Sequence, residues 1–438
     1  MPAVTELGEN LARALGSGEA GRLRDRYAPD ATLEAHLPGG SPRAVGRPAV
    51  LEALERISPR GARVRVLEER PSRGGSVLRL ESRRGGRVER RRHLLHLRRG
   101  RIGWHVVYPE RPPPDPLPTL PAGVGRLARR IVDRSALEPG ISGCQVERWR
   151  MDDGRTLFAK HLRPSDSWLM RATGDRGREA ELLVSGALDA VGEVVDHAVL
   201  DAVRERGGWL LLSEDRSGAL ARAPSGPRAR RRLLNAIGEV HRRFRGRSVA
   251  GTCGLVDRLG SFSPRTAERE LDGTDLAPKV IGRGWELFRG IAAPEVVAGV
   301  DALLVRPDPL VRALHELPST LVHGDLRPGN VGTPAGRPVV LDWGLALDAP
   351  PAFEAAWWLF NAGWRSAAAL SRLLDEALGA MGVTDGADLG LLATLAQAAP
   401  YFGFEAVQSP DPAARRRALD GLRWWSSRAV GALDSLSP

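Results

Sequence analysis

Cysteine and lysine are nearly missing from this 438-residue chain: Cys144 and Cys253 are its two thiols, and Lys160 and Lys279 its two lysines. Two cysteines at no metal-ligand spacing give no disulfide framework, suit a reducing compartment and offer no strong nucleophile. Long apolar runs are missing too. None approaches the roughly 18–20 residues that a membrane span requires, so no membrane is expected as a partner. Met1 to Ala20 carries Glu6, Glu9 and Glu19 where a leader would have a basic start and an apolar stretch, so no secretory or transit signal is readable. The expectation is a cytoplasmic protein.

What the chain has in excess is arginine. All but two of its 64 basic residues are arginine, against 53 acidic residues, for a formal charge of +11 and a pI near 10.8. Such a charge invites a nucleic-acid partner. Abundant alanine, glycine and proline point instead to GC-rich coding, and the arginines are interspersed with acids, so nucleic acid is not the expected partner. In such a chain a retained lysine implies a chemical reason. Apolar residues at 42% and charged residues at 27% fit a globular protein, and the length calls for two or more folding units.

The first hundred residues read as helices over Leu7–Leu15, Gly18–Tyr27 and Ala49–Ile57, followed by strands over Val64–Glu69, Ser76–Ser82, Val88–Leu97 and Ile102–Tyr108. Gly74-Gly75, Gly85-Gly86 and Arg99-Gly100 are the turns of a curled antiparallel sheet. Through Tyr27-Ala28-Pro29-Asp30-Ala31, Val45-Gly46-Arg47-Pro48-Ala49-Val50 and the closing strands, residues 1–110 resemble the nuclear-transport-factor-2-like, or polyketide-cyclase-like (SnoaL-like), family. The resemblance implies a cone-shaped α+β domain with a concave side. His93, His96, Trp104, His105 and Tyr108 are expected mainly to pack, and the domain to be accessory, binding a small molecule or forming a homodimer.

The run Arg111-Pro112-Pro113-Pro114-Asp115-Pro116-Leu117-Pro118 reads as an extended spacer, so a linker is placed over residues 111–124. Beyond it, Gln145–Arg150 and Thr156–Leu162 read as strands, Gly177–Val191 as a helix and Trp209–Leu212 as a strand. From about Arg230 the pattern is helical, including Leu233–Phe244, except for a short hairpin near 330–342. A sheet-rich lobe over 125–215 and a helical lobe over 216–438 make a two-lobed arrangement.

In the hairpin, Asn330-Val331-Gly332-Thr333 and Pro338-Val339-Val340-Leu341 pair about residues 335–336, which brings Asn330 and Asp342 to the same end. An amide oxygen beside a carboxylate is a hard donor pair of the kind Mg²⁺ accepts. Asp325 lies five residues before Asn330 across a loop turned by Pro328-Gly329, where its carboxylate can take a hydroxyl proton. Lys160, in Leu157-Phe158-Ala159-Lys160, offers a compact cation at a strand position, while Lys279 reads as an exposed loop residue.

Together, His323-Gly324-Asp325, Asn330 and Asp342-Trp343-Gly344 resemble the catalytic and metal segments of the aminoglycoside phosphotransferase and choline kinase family, over about residues 125–438. The resemblance implies a protein-kinase-like fold with ATP and Mg²⁺ as cofactors and a small hydroxylated molecule as acceptor. It implies Asp325 as catalytic base, Asn330 and Asp342 as metal ligands, and His323 as a brace for the loop, with Arg327 and Gly344 in support. Lys160 would meet the nucleotide phosphates and pair with Glu179, or else with Glu181. Ser142 and Gly143, after Gly140-Ile141, would belong to a loop over the nucleotide. Ser213, Glu214 and Asp215 would join the lobes beside adenine. His241 is expected to be buried and structural, Glu354 stands where the family has aspartate, and the tryptophans at 357, 358, 364, 424 and 425 should pack helices. The alternative is a regulatory protein that binds nucleotide and ligand without transfer. Gly324 before Asp325, where protein kinases usually have arginine, points away from a protein substrate.

Overall fold

The computed structural model describes residues 6–35, 37, 43–58, 61–72, 75–109, 117–137, 142–220, 226–271, 273, 275–363, 366–409 and 412–436. Most of the proline-rich run, residues 110–116, lies outside them, as do Gly74, Gly140, Ile141 and Trp364. The chain forms two compact units. One holds residues 1–112 with 269–276 and 404–419, and the other holds 113–268, 277–403 and 420–438.

In the first unit, helices Glu6–Ser17 and Arg47–Ile57 bury Leu11, Leu15, Val50 and Leu54 against a six-stranded sheet. The four strands read from alternation are present as Arg63–Ser72, Gly75–Arg84, Arg87–Arg98 and Arg101–Pro109. Three expectations need correction. The second helix is a 3₁₀ segment, Ala20–Arg26. Two further strands, Tyr27–Ala35 and Arg43–Val45, extend the sheet, the first hidden in sequence by Pro29 and Asp30. Tyr27–Ala35 pairs parallel to Arg101–Pro109, with a register shift between Tyr27 and Thr32, so the sheet is mixed. Three of its buried polar side chains bond to one another. Tyr27 donates its hydroxyl to His105 Nδ1 at 2.6 Å, and His105 Nε2 lies 2.9 Å from His93 Nδ1. Burial pushes the His105 imidazole down to about 3, which keeps it neutral.

In the second unit a five-stranded antiparallel sheet runs Val199–Glu205, Gly208–Glu214, Thr156–Leu162, Gln145–Met151, Ile131–Leu137. The two edge strands were not legible as strands. The helix expected over 177–191 is two, Arg178–Val184 and Ala187–Gly192, because Gly186 takes φ +79° between them. Most of the remainder is helical: Pro227–Phe244 packs against Ala367–Met381, and buried residues of Leu276–Arg289, Pro351–Asn361 and Ala387–Gln408 join the same apolar core. Lys279 is buried in Leu276–Arg289 rather than exposed in a loop. Besides the expected hairpin, Thr320–Val322 pairs with Leu347–Ala349. No helix among the described residues is long and apolar enough to cross a membrane.

On the sheet face opposite Lys160, the fully buried His161 ring lies between two carboxylates. Nε2 is 3.1 Å from Glu147 and Nδ1 is 3.0 Å from Glu205, while Arg134 and Arg163 close the cluster through Glu147 and Glu205. Burial opposes the imidazolium, but the bonds to Glu147 and Glu205 outweigh it and hold the ring above its usual range. A folded-state value above the unfolded one, about 6.5, contributes stability that is complete below that pH and lost as pH rises through the raised value. The melting temperature should therefore decline from about pH 6.5 upward, and His161→Gln, which removes the titrating ring, should flatten that decline. An equal slope in both proteins would refute the charged sandwich.

Candidate active site

Strand Thr156–Leu162 lies in the middle of its sheet, and alternation sends Leu157 and Ala159 into one core and Lys160 to the opposite face. Helix Arg178–Val184 approaches that face. Its start is fixed by Asp175 Oδ1, which accepts from the backbone N–H of Gly177 at 2.7 Å and of Arg178 at 2.6 Å. The first turn thus presents the buried Glu179 to Lys160 at 3.2 Å. Glu181, the other carboxylate the sequence offered, lies against Gly251 instead.

The hairpin pairs Val331 with Val340 and Gly332 with Val339. Leu341 N–H donates to Asn330 O at 2.8 Å, so the next residue, Asp342, emerges beside Asn330. Asp342 has φ +66° and ψ +66°, an uncommon conformation for a residue with a side chain. Lys160 Nζ donates to its Oδ1 at 2.6 Å, and the trailing Trp343 N–H donates to Glu179 Oε1 at 3.1 Å. The Lys160 charge outweighs burial and draws the Asp342 carboxyl down to about 2. Despite burial, its two carboxylates hold the Lys160 ammonium well above its ordinary range. Both groups are charged at neutral pH.

Asp325 collects three donors. Arg327 Nε reaches Oδ2 at 2.8 Å, Asn330 Nδ2 reaches the same oxygen at 2.9 Å, and Trp357 Nε1 reaches Oδ1 at 3.3 Å. The Asn330 amide nitrogen is therefore committed to Asp325, which leaves its oxygen as the group available to a cation. Asn330 and the ionised Asp342 supply hard oxygens that fit one magnesium ion completed by phosphate oxygens and water. No cluster of three or more His, Cys, Asp or Glu able to hold a metal occurs among the described residues.

The loop is braced from beneath. His323 Nε2 lies 2.9 Å from Leu341 O, and its Nδ1 accepts from Asp325 N–H at 3.1 Å, which assigns a neutral ring protonated at Nε2. Its face meets the Trp343 edge at 4.7 Å. Glu354, one methylene longer than the aspartate of the resembled family, accepts from the N–H of His323 and of Gly324. Burial pushes its carboxyl up to about 8, so it is mainly neutral at pH 7. Gly324 has φ +77°, and a Cβ there would stand 2.3 Å from Leu345 O. No residue but glycine fits that position.

The structure adds Arg258, which the sequence did not single out because one more arginine carries no signal in this chain. Fully buried, it donates to Gly324 O at 2.8 Å and to Gln397, and lies 4.6 Å from the Trp357 ring. Arg178 likewise donates to Gly344 O. Ser142 and Gly143 are not brought onto the Lys160 group by any bond among the described residues; Ser142 O accepts from Ser167 at 2.6 Å and Gly143 takes φ +83°. Ser213 closes strand pairing opposite Phe158, Glu214 pairs with Arg216, and Asp215 caps Ser217. A cavity of about 330 Å³ lies against this segment, lined by Thr156, Leu157, Glu214, Asp215 and Arg216. His241 is buried, as expected.

The model of the phosphotransferase enzyme family matches residues 137–389. Among solved structures, the chain is similar to the aminoglycoside phosphotransferase of Alicyclobacillus acidocaldarius, at 16% identity and TM-score 0.42 over 73% of this chain and 96% of that one. It is similar to the choline kinase of Streptococcus pneumoniae, at 13% identity and TM-score 0.42 over 69% and 96%. An NTF2-like protein of Burkholderia xenovorans shares 16% identity at TM-score 0.22 over 27% of this chain and 87% of that one. No curated protein matches the chain.

The brace at Glu354 makes a prediction. Glu354→Ala leaves two buried N–H groups unpaired and should cost about 2–4 kcal/mol, read from urea unfolding. Glu354→Gln keeps an acceptor on a neutral group and should cost under about 1.5 kcal/mol at pH 7. If the two variants are equally unstable, the carboxyl is ionised in the native state.

Proposed function

The chain belongs to the phosphotransferase enzyme family, and we propose that it transfers the γ-phosphate of ATP to a hydroxyl group of a small molecule. One observation carries this reading: the Lys160–Asp342 pair at 2.6 Å and the Asp325–Asn330 contact at 2.9 Å sit at the two sides of one hairpin end. A phosphate-binding cation, a metal-binding oxygen pair and a proton acceptor are then side by side.

Asn330 and Asp342 would hold a magnesium ion, which when bound supplies neutralisation of charge on the phosphate oxygens. Lys160, already protonated and fixed by Glu179, would bind the nucleotide phosphates. Asp325 would accept the hydroxyl proton as the acceptor oxygen bonds to phosphorus and the bond to the leaving ADP breaks. Its three donors orient the carboxylate. Trp357 would also wall the side where the acceptor lies, with the Phe360 ring tilted against it and against Tyr401.

Two features support a small acceptor. Gly324 leaves no arginine before Asp325, and the chain passes from Asp342 through strand Leu347–Ala349 straight into helix Pro351–Asn361, with no long loop to receive a peptide. The positive groups closest to Asp325 are Arg327 and Arg258, which favours a neutral or anionic acceptor over a polycation. The two buried free thiols, Cys144 and Cys253, suit a cytoplasmic enzyme.

The full-length protein should be stabilised against heat by Mg-ATP, and Asp342→Ala should abolish the magnesium-dependent part. Screening hydroxylated metabolites by mass should find an acceptor that gains one phosphate, and Asp325→Asn should slow that transfer by about 10²–10⁴-fold with nucleotide binding retained. No stabilisation by Mg-ATP would overturn the proposal.

A further inference from the structure

The chain's positive charge is unevenly placed. Residues 1–112 carry 23 basic and 13 acidic side chains, whereas residues 113–438 carry 41 and 40. A coding preference for arginine acts on the whole chain, so it does not account for a surplus confined to residues 1–112. Within that unit, residues 63–101 hold 14 arginines against four acidic residues, which is the entire surplus.

The sheet gathers part of this charge at one end. Register places Arg63 opposite Arg83, and Arg65 and Arg90 on either side of Glu81, so these side chains share a face. Arg84 and Arg87 bracket the tight turn Gly85-Gly86 at the rim. Glu81 is fully buried and takes Arg83 at 2.7 Å, Arg65 at 2.9 Å and Arg90 at 3.1 Å. Three guanidiniums on one carboxylate leave a positive excess on a rigid base. Arg63, Arg84 and Arg87 are exposed and have no ion pair among the described residues.

We propose that this end of the sheet binds the phosphate backbone of duplex nucleic acid without regard to sequence. The surroundings favour that occupant. Among the described residues between 6 and 109 the exposed large apolar side chains are Val45 and Val88. Two isolated valines give no aromatic anchor for a protein interface and no apolar face to enter lipid. Every described tryptophan and tyrosine in that stretch is buried, so no platform exists for the bases of a single strand. What remains is fixed, closely spaced positive charge, the feature on which backbone recognition of a duplex depends.

The test is fluorescence anisotropy of the full-length protein with two duplexes of unrelated sequence across a salt series. Both should bind alike, with log K falling against log salt at a slope of about −4 to −6. The triple variant Arg63→Gln, Arg84→Gln, Arg87→Gln should melt as the wild type does, lose about tenfold or more in affinity at low salt, and reduce the slope by about 3. Arg247→Gln, on an exposed arginine of the second unit, should change neither. The proposal fails if neither duplex binds at low salt, if the triple variant binds as tightly as the wild type, or if anionic lipid vesicles or polyglutamate bind as well as the duplex.

Discussion

The contact on which the second unit's site depends is the ammonium of Lys160 held between Glu179 and Asp342. A cation drawn out of water needs compensating partners, here two carboxylates, and each member of the group comes from a different element: a central strand, a helix start and a hairpin end. The pair therefore fixes three elements at once. Glu179 extends the linkage by taking the Trp343 N–H, and the Trp343 edge meets His323, whose two ring nitrogens tie Leu341 to Asp325. An unbroken series of contacts runs from the sheet to Asp325. Replacing Lys160 would leave two carboxylates facing each other, with nothing to hold Asp342 in its left-handed backbone conformation.

Legibility in the sequence followed the reach of local signals. Hairpin register could be read because turn residues and alternation lie within a dozen positions, and the structure pairs the strands about residues 335–336. Lysine scarcity drew attention to Lys160. Lys279 was set aside because Ala277-Pro278 suggested an exposed loop, although the segment is helical and buried. Edge strands such as Ile131–Leu137 and Val199–Glu205 escaped because apolar residues such as Val132 and Leu200 face outward on them, so alternation is weak. Long-range partners were invisible in principle. Nothing near Arg258 announces a bond to Gly324 O, and nothing near Glu354 shows that a longer side chain still reaches two backbone N–H groups.

The polar interior follows two different rules. Two of the braces beneath Asp325 are neutral: His323 in the tautomer its bonds demand, and Glu354, held mainly neutral by burial. Across the sheet, His161 is drawn toward the charged form despite its burial, because both ring nitrogens face carboxylates. The difference is one of partners, since backbone groups accept a neutral ring while two carboxylates do not. Neutral braces beneath a working carboxylate have an advantage. They fix its loop without adding a charge that would compete with the cations set around it.

Arginine shows why location outranks composition in this chain. Arg258 has no carboxylate on its guanidinium; its bonds go to a carbonyl, an amide and a hydroxyl, and its flat side meets Trp357. A guanidinium does not shed its proton under these conditions, so the charge persists and its field falls on Asp325 close by. Arg65, Arg83 and Arg90 converge on Glu81, whereas Arg63, Arg84 and Arg87 project their charge into solvent. One residue type thus orients a loop, neutralises a buried acid and builds a surface potential. Only the partners distinguish these roles, and partners are set by the fold.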